Sequence, residues 1–356
     1  MTEQPRILIL GAGTFGFGTA MVLTKQAGVP TSIWDIDRRM MDSWQTFDYC
    51  SRYPWMQDYD TPDGLAIVTS DRINANGYDY ILLAPSMAGL EPTLQLIDNL
   101  NEKTATLVTM QKGLNDNLET PFQVVRHHFP LAHIIQYTGA GFGENMAAGE
   151  WTRMIIASGK RSWDSAKRFR DLFTGTKIWG RLSLDPTGMC YGGFLRTITS
   201  CETSIVQHCL SGELGSYATA MAGIYDEYWR LLKVLGTKRQ TRQDGSDEKM
   251  TLMADLLLCQ QPGNISRNTA FGQYLAEGMP VDMALRRAQE KGVVESYRNI
   301  RIVQKLLARG GIFLETENSD DPAISGYPYL YYLSQLIGRK MPLDKCIEGI
   351  KQRQTR

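Results

Sequence analysis

Along the first half of the chain, short apolar runs alternate with stretches of helical periodicity. Arg6–Leu10, Thr31–Trp34, Ala66–Val68, Tyr80–Leu83, Ala105–Thr109 and His133–Tyr137 read as buried strands. Met154–Ala157 and Lys177–Trp179 extend the series. Strands separated by helices need crossover connections, so the pattern predicts a mostly parallel sheet. Such sheets bind ligands at the carboxyl ends of their strands. After Asp185-Pro186-Thr187-Gly188 the strand signal fades and helical periodicity takes over. Helices are expected over Tyr217–Leu235, up to Ala276–Gly278, and over Val294–Arg309, Leu330–Ile337 and Leu343–Ile350. The polar stretch Gly236–Lys249 reads as an exposed loop. The pattern therefore predicts an α/β domain over residues 1–187 and an all-α domain over residues 188–356.

Composition narrows the class. Hydrophobic residues are 43% and charged residues 21% of 356, which suits a packed core and excludes a disordered chain. Lys+Arg and Asp+Glu are both 38, so the basic excess of a nucleic-acid binder is missing. No apolar run approaches the roughly 18 residues of a membrane span. Met1-Thr2-Glu3-Gln4-Pro5 leads straight into a strand, without the regions of a signal peptide. Cys50, Cys190, Cys201, Cys209, Cys259 and Cys346 are scattered, with no C-x-x-C pair, so neither zinc nor a disulfide framework is expected. These features point to a cytoplasmic protein with reduced thiols. His127, His128, His133 and His208 have no triad or metal spacing. Asn264-Ile265-Ser266 matches a glycosylation sequon that a cytoplasmic protein would not use.

Candidate chemistry starts at the end of the first strand. Gly11-Ala12-Gly13-Thr14-Phe15-Gly16 is a G-x-G-x-x-G turn between a strand and a helical stretch, the context of a dinucleotide-binding fingerprint. The first glycine permits the tight turn, the second lets the backbone approach a pyrophosphate, and the third lets helix and strand pack closely. The helix N-terminus then offers unbonded N–H groups and partial positive charge to phosphate. This predicts a Rossmann-like domain. Asp35, at the end of the second strand, stands where an acid accepts hydrogen bonds from ribose hydroxyls and repels a 2′-phosphate. NAD is favoured on that ground, while Arg38 and Arg39 keep NADP open.

Further motifs follow in a fixed order: Ala84-Pro85-Ser86, Gln111-Lys112-Gly113-Leu114, Gly192-Gly193-Phe194-Leu195-Arg196-Thr197, Ser266-Arg267-Asn268 with Phe271-Gly272, and Val293-Val294-Glu295-Ser296-Tyr297-Arg298-Asn299. Together with the Gly-rich turn they resemble the NAD(P)-dependent glycerol-3-phosphate dehydrogenase family over roughly residues 6–350. The resemblance implies a Rossmann-like N-terminal domain followed by an all-α C-terminal domain, in a 6-phosphogluconate dehydrogenase-like architecture, with the active site between them. It implies reduction of dihydroxyacetone phosphate to sn-glycerol 3-phosphate by NAD(P)H. A homodimer through the helical domain is compatible with it. Lys112, Arg196 and Asp255 would be catalytic, with Lys112 holding substrate near the nicotinamide and Asp255 orienting the site. Gly139, Thr197, Ser266, Arg267 and Asn268 would meet the phosphorylated substrate. Gly11, Gly13, Thr14, Phe15, Gly16, Asp35, Pro85, Lys112, Gly143, Arg267, Val293 and Glu295 would meet the cofactor. Arg267 also has a physical argument, since a guanidinium fork matches phosphate bidentately. Ser266 has a second reading as a helix N-cap. Asp255, in an apolar run, calls for a lysine or arginine partner.

The pattern breaks in three places. The family's C-G-A-L-K-N segment carries the lysine that exchanges a proton with the substrate oxygen, and here the matching residues are Arg196 and Thr197. Neutralising an arginine near pH 7 costs on the order of 8 kcal/mol, so Arg196 suits electrostatic stabilisation and leaves the proton to Lys112 or water. The family's S-G-P-S/T-F-A becomes Thr138-Gly139-Ala140-Gly141-Phe142-Gly143. Its Gly-rich stretch becomes Glu248 to Leu256. These last two changes fall in the substrate half of the family's site, while the nucleotide half is intact. Three readings follow in order: a glycerol-3-phosphate dehydrogenase with an electrostatic Arg196, a divergent dehydrogenase of another small carbonyl compound, and a dinucleotide-binding protein without turnover.

Overall fold

The computed structural model describes residues 4–261, 266–290, 292–314 and 326–353. Asn264 and Ile265 of the sequon lie outside the described residues. The chain forms two compact units: residues 1–190 with 243–254, and residues 191–242 with 255–356.

The first unit is built on an eight-stranded sheet. In chain order the strands are β1 (Ile7–Leu10), β2 (Thr31–Trp34), β3 (Leu65–Val68), β4 (Ile73–Asn74), β5 (Tyr80–Leu83), β6 (Ile97–Asp98), β7 (Thr106–Thr109), β8 (His133–Ala140), β9 (Thr152–Ser158) and β10 (Ile178–Ser183). The sheet order is β10-β9-β8-β7-β5-β1-β2-β3, and the short β4 and β6 pair separately. Ile7–Leu10 and Tyr80–Leu83 are buried throughout, because helices cover both sheet faces. One apolar cluster gathers Ile7, Ile9, Phe17, Ile33, Trp44, Leu82 and Tyr137, and the opposite one gathers Leu8, Leu10, Ile81, Leu83 and Leu107. Pairing is parallel except between β8 and β9, which run antiparallel. A five-residue helix, Gly143–Ala147, and the left-handed Gly149 (φ 75°) reverse the chain there.

The order reverses beside β1: β2 and β3 lie on one side, β5, β7 and β8 on the other. A sheet of this kind binds its ligand at such a switch point.

The second unit is helical among its described residues. Pro186–Leu210 carries the chain into it, followed by Leu214–Val234, Arg267–Ala276, Val281–Gln289, Glu295–Arg309, Pro328–Ile337 and Leu343–Arg353. One of its apolar clusters joins Val206, Leu210, Ile224, Tyr332, Cys346 and Ile350.

The expected loop Gly236–Lys249 needs correction. It contains the helix Arg239–Arg242 and the start of Asp247–Leu258. Thr237, Thr241 and Glu248 are buried. Its charge has partners elsewhere in the first unit: Asp247 accepts from Arg153 at 2.7 Å and from Arg181 at 2.9 Å.

Candidate active site

In the first unit, the Gly-rich turn closes the C-terminal end of β1. Gly11 takes φ +114°, and a Cβ there would come within 2.8 Å of the Ala84 carbonyl carbon. Only glycine lets the ends of β1 and β5 meet so closely. Gly13 caps the helix Thr14–Met21 without any side-chain hydrogen bond. A Cβ on Gly13 would meet nothing within 4 Å, so this face of the turn is open. Helix amides without a side-chain cap beside open space are the arrangement that receives phosphate. Gly16 packs onto the Gly11 carbonyl, while Gly143 packs onto the Thr14 carbonyl and onto Gly18. Gly143 thus lets the helix Gly143–Ala147 seat against the turn's helix. Thr14 is half-buried, as is Phe15, whose ring lies 5.9 Å from that of Tyr137.

Asp35 is buried at the end of β2. Its Oδ2 accepts the Ala12 N–H at 2.7 Å. Its Oδ1 accepts the Asp37 N–H at 2.9 Å and Arg52 Nη2 at 2.5 Å. Arg38 pairs with Asp42 and Asp71 on the exposed surface.

At the end of β7, Lys112 Nζ donates to the Gly139 carbonyl at 3.0 Å, which brings those two candidates together. Gln111 Nε2 donates to the carbonyls of Leu83 at 3.0 Å and Pro85 at 3.2 Å. The Gln111 carbonyl in turn accepts from Gln136 Nε2 at 3.3 Å. Gln111 therefore ties the Pro85 turn to β7 and β8, and sequence reasoning gave it no role.

In the second unit, Arg196 and Asp255 are both buried, with Arg196 Nε 3.3 Å from Asp255 Oδ2. Arg196 Nη1 also donates to Cys259 Sγ at 3.2 Å. Burial alone would lower the pKa of Arg196, but the charge of Asp255, with Cys259 and Glu295, raises it above the ordinary arginine value. The guanidinium is therefore held charged. Cys259 is the member of this cluster that sequence reading missed.

Ser266 Oγ accepts the Thr269 N–H at 3.3 Å, capping Arg267–Ala276. Asn268 Oδ1 accepts the Ser296 N–H at 2.9 Å, joining two sequence motifs. Arg267 lies over Gly292, whose φ is +125° and where a Cβ would come within 3.1 Å of Arg267 Cδ. Val293 is exposed and Glu295 half-buried. Thr197 is fully buried, donating to the Phe194 carbonyl at 2.7 Å and accepting from Asn299 Nδ2 at 2.9 Å.

A mostly parallel sheet with an open glycine turn at its switch point is the arrangement of dinucleotide-binding enzymes, here followed by a helical unit that holds a buried Arg–Asp pair. Residues 6–164 match the NAD-dependent glycerol-3-phosphate dehydrogenase N-terminus, and residues 185–317 match the C-terminus of the same family. The chain belongs to this family of NAD(P)-dependent enzymes acting on CH–OH groups. It is 26% identical over 310 residues to the glycerol-3-phosphate dehydrogenase (NAD(P)+) of Dechloromonas aromatica, covering 86% of this chain and 89% of that one. It is 28% identical over 320 residues to the namesake from Thioalkalivibrio sulfidiphilus, covering 87% and 90%. Among solved structures, glycerol-3-phosphate dehydrogenase from Coxiella burnetii superposes with a TM-score of 0.79 at 21% identity, covering 97% of this chain and 98% of that one. The Plasmodium falciparum enzyme gives 0.77 at 12% identity, covering 97% and 95%. Both share the fold. No helix among the described residues is long and apolar enough to cross a membrane.

Proposed function

We propose that the chain reduces dihydroxyacetone phosphate to sn-glycerol 3-phosphate, reversibly, with Arg196 in place of a proton-exchanging lysine. The buried Arg196–Asp255 pair carries this reading. When bound, the nicotinamide cofactor supplies the hydride. Gly11, Gly13, Thr14, Phe15 and Gly16 hold its diphosphate, with Pro85, Val293 and Glu295 as further contacts. Arg196 meets the negative charge that develops on the substrate oxygen. Asp255 and Cys259 fix the guanidinium, so little reorganisation accompanies that charge. Lys112 supplies the proton, because an ammonium gives one up at far lower cost than a guanidinium. Gly139 orients Lys112 through its carbonyl. Arg267 and Asn268 bind the substrate phosphate, supported by the Ser266 cap. We further expect a cytoplasmic enzyme acting as a homodimer, which light scattering on the purified chain tests.

The decisive experiment follows NADH and NADPH absorbance with dihydroxyacetone phosphate added. Oxidation that saturates with substrate supports the assignment, and none with this ketone rejects it. A second reading is favoured by the helix Asp247–Leu258, which stands where the family is Gly-rich and buries Glu248. It assigns another small carbonyl compound to the same cofactor, and a carbonyl panel would find it.

A further inference from the structure

An acid at the end of β2 selects NAD when its carboxylate is available to the ribose 2′-hydroxyl. In this chain Asp35 already takes three donors: the amides of Ala12 and Asp37, and Arg52 Nη2. A carboxylate offers about four lone-pair sites, so little acceptor capacity is left for a ribose. Arg52 also neutralises the charge that would repel a 2′-phosphate. Its guanidinium has donors to spare: among the described residues its one side-chain hydrogen bond runs from Nη2 to Asp35, which leaves the remaining Nη hydrogens for a ligand. The side chain is 26% exposed, within reach of a ligand. Arg38, by contrast, is committed to Asp42 and Asp71.

We propose that Arg52 is the specificity-determining residue that admits NADPH, forking onto the 2′-phosphate while main-chain amides keep Asp35 in place. This rests on the dinucleotide reading of the Gly-rich turn. A guanidinium fork suits phosphate geometry, and Arg52 reaches it without dismantling the turn, because Ala12 holds Asp35 through the other oxygen.

The test measures equilibrium binding of NADH and NADPH, and competition of 2′,5′-ADP and ADP against NADH, on the purified wild-type chain and on Arg52→Met and Arg52→Lys. Expected results are wild-type NADPH binding at least as tight as NADH binding, and 2′,5′-ADP competing at least tenfold better than ADP. Arg52→Met should lose at least tenfold in NADPH affinity with NADH changed less than threefold, and Arg52→Lys should retain part of the preference. Should Arg52→Met not fold, the wild-type competition still decides. Equal competition by the two nucleotides, or equal losses for both cofactors, overturns the role of Arg52 while leaving the turn's function intact. Failure of the wild type to bind either cofactor overturns the dinucleotide reading and this inference with it.

Discussion

Arg196 Nε lies 3.3 Å from Asp255 Oδ2, with the side chains 7% and 2% exposed. A charge pair this deep is costly to bury and costlier to break. A lysine at this position has a single ammonium and cannot reach Asp255 and Cys259 with a planar fork. Arg196→Lys should therefore lower kcat/KM for dihydroxyacetone phosphate at least tenfold, read from initial rates of cofactor oxidation. A gain in activity would mean that the arginine is only an impaired proton partner, and would remove the electrostatic assignment.

An open glycine in the turn and a closed one packed against the turn's helix separate binding from folding. Gly13 has ordinary φ (−72°) and empty space around it, so Gly13→Ala should fold normally. The added methyl occupies the approach to the helix amides, and NADH affinity should fall at least tenfold in a fluorescence titration. At Gly143 a Cβ would run into the Thr14 carbonyl. Gly143→Ala should cost about 1–3 kcal/mol in urea unfolding, the usual range for overpacking. If Gly13→Ala bound NADH like wild type, the diphosphate would have to lie elsewhere.

Asn268 links its own helix to the next motif by accepting the Ser296 N–H at 2.9 Å in a buried setting. Asn268→Leu orphans that donor and should destabilise by roughly 1–3 kcal/mol. Asn268→Asp can still accept it, so that hydrogen bond is kept. The new negative charge beside Arg267 should instead raise KM for the phosphorylated substrate several-fold. An unchanged KM in the aspartate variant would confine Asn268 to a structural role.

Much of this was legible in the sequence because it is local. Four-residue apolar runs marked β1 and β5, and the glycine spacing marked the turn between strand and helix. What escaped are side-chain pairs between distant segments. Arg52 sits 17 positions from Asp35, and Asn299 sits 102 positions from Thr197. Periodicity carries no signal for either. The charged stretch around Asp247 looked solvated because its partners, Arg153 and Arg181, come from strands 94 and 66 positions away. Strand direction was equally silent: Met154–Ala157 reads the same parallel or antiparallel, and the chain reversal after Gly143 decides it.

Glu227 makes stability depend on pH. It is buried in the helical unit, and burial pushes its pKa up to about 8, against the lowering effect of the Tyr329 and Leu330 amides that it accepts at 2.8 and 3.1 Å. Glu202 is shifted in the same direction by burial and by the nearby Glu227. A carboxyl of the unfolded chain loses its proton near pH 4–5. Between that point and about pH 8 the folded chain keeps a proton that the unfolded chain has lost, so stability falls as pH rises. The slope is at most roughly 1.36 kcal/mol per pH unit for this group, which amounts to a few kcal/mol across the window. Urea midpoints taken from pH 5.5 to pH 8.5 should therefore decline. Glu227→Gln, which cannot ionise, should flatten the decline without abolishing it, since Glu202 remains. An identical slope in that variant would move the effect to other groups.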